Sequence, residues 1–138
     1  MYVFDASSIL NLTKRGLAKI FMNGSTLNLA YYESLNAIWK ECVLLKRIDE
    51  ETALEYVRVL DMVFEALEKE DVEGYEMDVF KLASKEKLTF YDASYLFLAI
   101  RRRSILVTDD GELQDKASKY VKVMSSARMV GNSGEDPT

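Results

Sequence analysis

Histidine is absent from this chain of 138 residues, and cysteine occurs once, at Cys42. Without imidazole there is no Ser-His-Asp triad, no Cys-His pair and no imidazole metal site. A lone cysteine excludes an intramolecular disulfide framework and a cysteine-rich zinc site. Proline also occurs once, at Pro137, and no Gly/Ser-rich linker interrupts the sequence. One domain over residues 1–130 is therefore expected, followed by a polar, breaker-rich and mobile tail over 131–138. No apolar run reaches the roughly 18 residues of a membrane span. Met1–Asp5 carries neither the basic nor the long apolar segment of a signal peptide. A cytoplasmic location with no membrane partner is expected.

What remains for chemistry is carboxylate, hydroxyl, lysine and arginine. The composition is 49 % hydrophobic, enough for a core, and 30 % charged, with a net charge of −5. The average conceals a gradient. Residues 1–48 carry six basic and three acidic side chains, residues 49–92 five and fourteen, and residues 93–138 seven and six. The acid is concentrated in the middle third, which leaves the two ends free to build a neutral or basic face.

Apolar periodicity alternates between strand and helix. Residues 2–5, 25–30, 105–107 and 120–124 read as strands. Helices are expected over 7–15, 31–47, 49–69, 75–87, 92–101 and 111–119, with a helical turn or two over 17–22. Strands separated by helices imply a parallel sheet covered on both faces.

Two of these strands run into aspartate: Tyr2-Val3-Phe4 into Asp5, and Ile105-Leu106-Val107-Thr108 into Asp109-Asp110. Parallel sheets bind ligands outside the carboxyl ends of their strands, so these charges should share one edge. Helices that follow strands begin on that edge, which adds Glu33, expected in a first helical turn, and Asp92, which opens the buried helix. Capping and the macrodipole also favour acids in first turns. Asp5 is harder to explain that way, because a carboxylate closing a buried strand is costly without a partner and no flanking lysine or arginine supplies one. Several carboxylates with no imidazole or thiol specify a hard divalent cation, Mg²⁺ or Mn²⁺.

The segments Val3-Phe4-Asp5-Ala6-Ser7, Glu33-Ser34-Leu35-Asn36-Ala37-Ile38, Tyr91-Asp92-Ala93-Ser94-Tyr95-Leu96 and Leu106-Val107-Thr108-Asp109-Asp110-Gly111, in that order, resemble the motifs of PIN-domain ribonucleases, the kind found as VapC toxins of VapBC toxin–antitoxin pairs. The resemblance spans Met1 to about Ser125. It implies a three-layer α/β/α fold with a central parallel sheet of four to five strands. It also implies a metal-dependent endoribonuclease that cleaves single-stranded RNA. Asp5, Glu33, Asp92 and Asp110 are the implied catalytic and metal-binding residues, with Asp109 as an alternative ligand where relatives carry an ordinary residue. Ser7, Asn36 and Thr108 are candidate supporting residues, and Lys14, Arg15 and Lys40 candidate RNA contacts. A small antitoxin protein is an implied partner. A homodimer is expected, because spare apolar surface on two long adjacent helices marks an interface. Two other readings compete: a non-catalytic Mg²⁺-binding module of phospho-receiver type, and an inactive PIN-like scaffold.

Overall fold

The structure, a computed structural model, describes residues 1–134. Five short strands form one sheet in the order β3-β2-β1-β4-β5: β1 is Tyr2–Phe4, β2 Gly24–Leu27, β3 Glu68–Glu70, β4 Ile105–Val107 and β5 Val123–Met124. Every neighbouring pair is parallel. Helices α1 (Ala6–Lys14), α2 (Asn28–Trp39) and α3 (Glu50–Ala66) pack on one another, and α7 (Ser126–Gly134) packs on α1. Helix α5 (Phe90–Arg102) lies against β1, β2 and β4, with α4 (Glu76–Glu86) packed on it. Helix α6 (Gly111–Ala117) adjoins β5. This is the expected three-layer α/β/α fold, with five strands.

The core forms where apolar strands meet apolar helix faces. Val3, Phe4, Leu106 and Val107 are buried from the two central strands, and Ile9, Leu12, Ile38, Leu60, Leu96 and Ala99 from the helices. In a parallel sheet the switch point lies where successive connections leave in opposite directions. Here β1 is followed outward by β2 on one side and flanked by β4 on the other. The register pairs Tyr2 with Ile105, Val3 with Leu106 and Phe4 with Val107. Asp5 and Thr108 therefore leave the sheet side by side at the switch point.

The expected strand over 25–30 ends at Leu27, where α2 takes over, and two further elements differ from the sequence expectation for identifiable reasons. Strand β3, Glu68-Lys69-Glu70, has no apolar residue and reads from sequence as the end of the preceding helix. It pairs with β2, and its two glutamates are held from α5: Arg102 bonds both Glu68 and Glu70, and Arg101 approaches Glu70 at 3.9 Å while stacking on Tyr75. Helix α7 includes residues 131–134, where a tail was expected; the rest of that tail lies outside the described residues. Its first turn is capped from afar by Asp109 and locally by the Ser125 hydroxyl, which accepts from the Arg128 amide at 3.1 Å.

Strand β2 begins with glycine because β1 leaves no room. A Cβ at Gly24 would stand 2.4 Å from Cε2 of Phe4 and 3.0 Å from Leu67. Gly24→Ala is expected to lose about 1–3 kcal/mol by overpacking the buried ring. A urea midpoint equal to that of the unmodified chain would contradict this.

Candidate active site

Asp5 closes β1 and caps α1. Its Oδ1 accepts from the Ser7 hydroxyl at 2.8 Å and the Ser8 amide at 3.0 Å, and its Oδ2 accepts from the Thr108 hydroxyl. Asp5 has no basic neighbour in sequence, but it does not lack partners: the fold supplies these three donors. Burial still outweighs these donors and pushes the Asp5 carboxyl above its ordinary value. Thr108, itself buried, also accepts from the Asp110 amide at 3.1 Å. One hydroxyl thus locks the end of β1 to the loop after β4.

That loop separates the two consecutive aspartates. Asp110 caps α6, its Oδ1 accepting from the amides of Glu112 and Leu113 at 2.9 and 3.1 Å. Asp109 turns the other way. Its Oδ2 accepts from Asn11 Nδ2 at 2.6 Å and its Oδ1 from the Ser126 amide at 2.7 Å, joining α1 to α7.

Glu33 arrives from α2. The helix begins at Asn28, earlier than expected, so Glu33 lies beyond its first turn. The macrodipole explanation for an acid there consequently loses its basis. The Tyr95 hydroxyl donates to Glu33 Oε1 at 2.7 Å. Tyr95 is 2 % exposed, and burial with the Glu33 carboxylate beside it raises the phenol far above its usual value, so it stays a donor. Asp92 lies in the first turn of α5, where its amide is capped by Thr89 at 3.1 Å.

Asp5, Ser7, Asn11, Glu33, Ser34, Asp92, Tyr95 and Asp110 line one cleft of about 370 Å³. Burial, and then the charges of Asp110, Asp5 and Glu33, push Asp92 up to about 6. The four carboxylates feel one another, yet among the described residues no three acidic, histidine or cysteine side chains stand close enough to form a ready-made metal cage. Their chemistry nevertheless fits a hard divalent cation: all donors are oxygens, and their mutual repulsion is what such an ion relieves.

The remaining candidates fall elsewhere. Asp109 and Asn36 are not among the lining residues, and Asn36 is exposed. Lys14 is held by Glu41, with contacts of 2.6 and 2.7 Å. Arg15 and Lys40 are exposed, without an ion pair among the described residues. Ala37 also lines the cleft. Tyr95, Asn11 and Ser34 were missed, although Tyr95 lies three residues after Asp92 and so shares its helical face. The Ser34 hydroxyl is buried and has no hydrogen-bond partner among the described residues.

No family model matches the chain. Exonuclease VapC9 of Pyrobaculum aerophilum is 36 % identical over 97 residues, 70 % of this chain and 69 % of that protein. Ribonuclease VapC3 of the same organism is 38 % identical over 92 residues, 66 % of this chain and 69 % of that protein. The crystal structure of PAE2754 from Pyrobaculum aerophilum superposes with a TM-score of 0.78 at 30 % identity, covering 95 % of this chain and 94 % of the other. That of FitAcB from Neisseria gonorrhoeae gives a TM-score of 0.58 at 12 % identity over 92 % and 99 %, a likeness of fold. With the sequence identity, the shared architecture and the acidic cleft at the switch point, the chain belongs to the VapC family of PIN-domain proteins.

Proposed function

We propose that the chain is a divalent-metal-dependent ribonuclease that cuts single-stranded RNA internally, and that it is the toxin of a toxin–antitoxin pair. The observation that carries this reading is the convergence of Asp5, Glu33, Asp92 and Asp110 on one cleft. The relatives' names support the hydrolysis of nucleic acid: one is called an exonuclease and the other a ribonuclease.

The four carboxylates would hold Mg²⁺ or Mn²⁺, which when bound acidifies a water and offsets charge developing on a phosphoryl group. The protein's own groups prepare the site. Ser7 and Thr108 hold Asp5, the amides of α6 hold Asp110, and Tyr95 holds Glu33. A bare acidic cleft repels a phosphodiester, so basic groups must draw the strand in. We assign that role to Arg15, four residues beyond Asn11 on the α1 side, and Lys40, three beyond Ala37 on the α2 side, on helical spacing; Lys14 is engaged by Glu41.

Cleavage of an unstructured RNA should require Mg²⁺ or Mn²⁺ and stop when EDTA is added. Cleavage that persists in EDTA would sink this reading.

Exposed apolar side chains support self-association. Trp39, Val43, Leu44 and Leu45 are exposed where α2 continues into a π-helical turn, Lys40–Leu44; Met77, Phe80, Phe90 and Tyr91 are exposed on α4 and at the start of α5. Leu44 is 58 % exposed. Two such faces suit a two-fold homodimer through helices together with an antitoxin segment. Sedimentation equilibrium at micromolar concentration should give twice the chain mass of 15.8 kDa. A monomeric mass would contradict the dimer.

A further inference from the structure

We infer that Tyr95 is a positioning residue for metal binding: its buried hydroxyl fixes the Glu33 carboxylate in the cleft before any cation arrives. The inference rests on the metal-dependent reading above. Glu33 is the one carboxylate of the four that approaches from α2, on a side chain with three rotatable bonds. Asp5 is held by three hydrogen bonds and Asp110 by two backbone amides. Glu33 is held by the Tyr95 hydroxyl alone among the described residues. Left free, it would swing away from Asp5, Asp92 and Asp110, because like charges disfavour its approach.

Tyr95 is suited to prevent that. Its ring belongs to the core and is 2 % exposed, so the hydroxyl has little freedom to follow Glu33 outward. The bond joins α2 to α5, and no other side-chain hydrogen bond among the described residues does so. It uses Oε1, leaving Oε2 as the oxygen for a cation. Groups that orient a metal-binding side chain typically affect affinity by about 10–100-fold.

The test is Mn²⁺ binding by the full chain, read from the electron paramagnetic resonance signal of free Mn²⁺, without RNA. Tyr95→Phe keeps the ring and should melt near the unmodified chain, yet bind Mn²⁺ about tenfold more weakly. In a Glu33→Gln background the same change should do nothing further. Unchanged affinity in Tyr95→Phe, or an equal loss in both backgrounds, overturns the inference. A second readout uses the unmodified chain. The shielded Tyr95 hydroxyl proton should give a slowly exchanging resonance that moves on adding Mg²⁺, and one indifferent to saturating Mg²⁺ overturns it. If Asp5→Asn loses Mn²⁺ affinity and Tyr95→Phe does not, the nuclease reading stands and this inference falls. If the unmodified chain binds no Mn²⁺, both fall.

Discussion

Asp92→Asn should make the metal-free protein more heat-stable at pH 7 while reducing RNA cleavage by more than about 100-fold, because an amide is a poor ligand for a hard cation and even loss of an outer partner costs 10–100-fold. The stability half follows from the raised carboxyl. Asp92 sits near 6 in the fold against 3.8 ordinarily. A carboxyl raised in the folded state holds its proton longer than in the unfolded chain. Stability from this group is therefore greatest below about 3.8 and declines as pH rises toward 6. Asparagine carries no charge to penalise, so the variant's advantage should be full at pH 7 and vanish near pH 3. Melting in EDTA at both values checks the sign, and RNA cleavage in Mg²⁺ checks the loss. A variant that melts lower at pH 7 would mean that Asp92 is paired rather than strained.

The second large effect separates neighbours in sequence. Asp110→Asn should abolish cleavage at little cost in stability, since asparagine is as good a helix cap as aspartate and Oδ1 can still accept from Glu112 and Leu113. Asp109→Asn should retain most of the cleavage, because its oxygens face Asn11 and Ser126 rather than the cleft. Asp109→Ala should instead lower the melting temperature, as two bonds joining α1 and α7 disappear, each worth about 1 kcal/mol or more. Loss of cleavage in Asp109→Asn with retention in Asp110→Asn would shift the site by one residue.

The candidate site was legible in the sequence because its parts lie where topology must place them. Asp5 and the Thr108–Asp110 loop follow adjacent strands, and Asp92 lies in the first turn of α5, a helix that begins at Phe90 rather than at Asp92 itself; periodicity alone puts these residues at strand ends and near a helix start. Ser7 and Thr108 were legible as supporting residues, and both hold Asp5, but which group each would reach was not. Nothing local shows that Thr108 would reach Asp5 across 103 residues, or that Asp109 would cap a helix starting at Ser126. Tyr95 read as one more apolar residue of a buried helix, because its ring is core and only its oxygen is at the site. Strand β3 was missed for the converse reason: its three residues are all charged, and it is a strand because β2 offers an unpaired edge.

That short charged strand also governs how copies of the protein can meet. An open sheet edge is a template on which another chain can add a strand. Here one edge displays Glu68, Lys69 and Glu70, and the opposite edge, β5, is only two residues long. Arg102 and Arg101 fasten the glutamates of β3 in place, so an incoming backbone would have to displace side chains already committed. Continuous β-sheet across protomers, and the fibrous growth to which it leads, are thereby disfavoured at both ends. Any association of copies is left to the helical surfaces, whose contacts can form and dissolve without touching the strands that carry the acidic cleft.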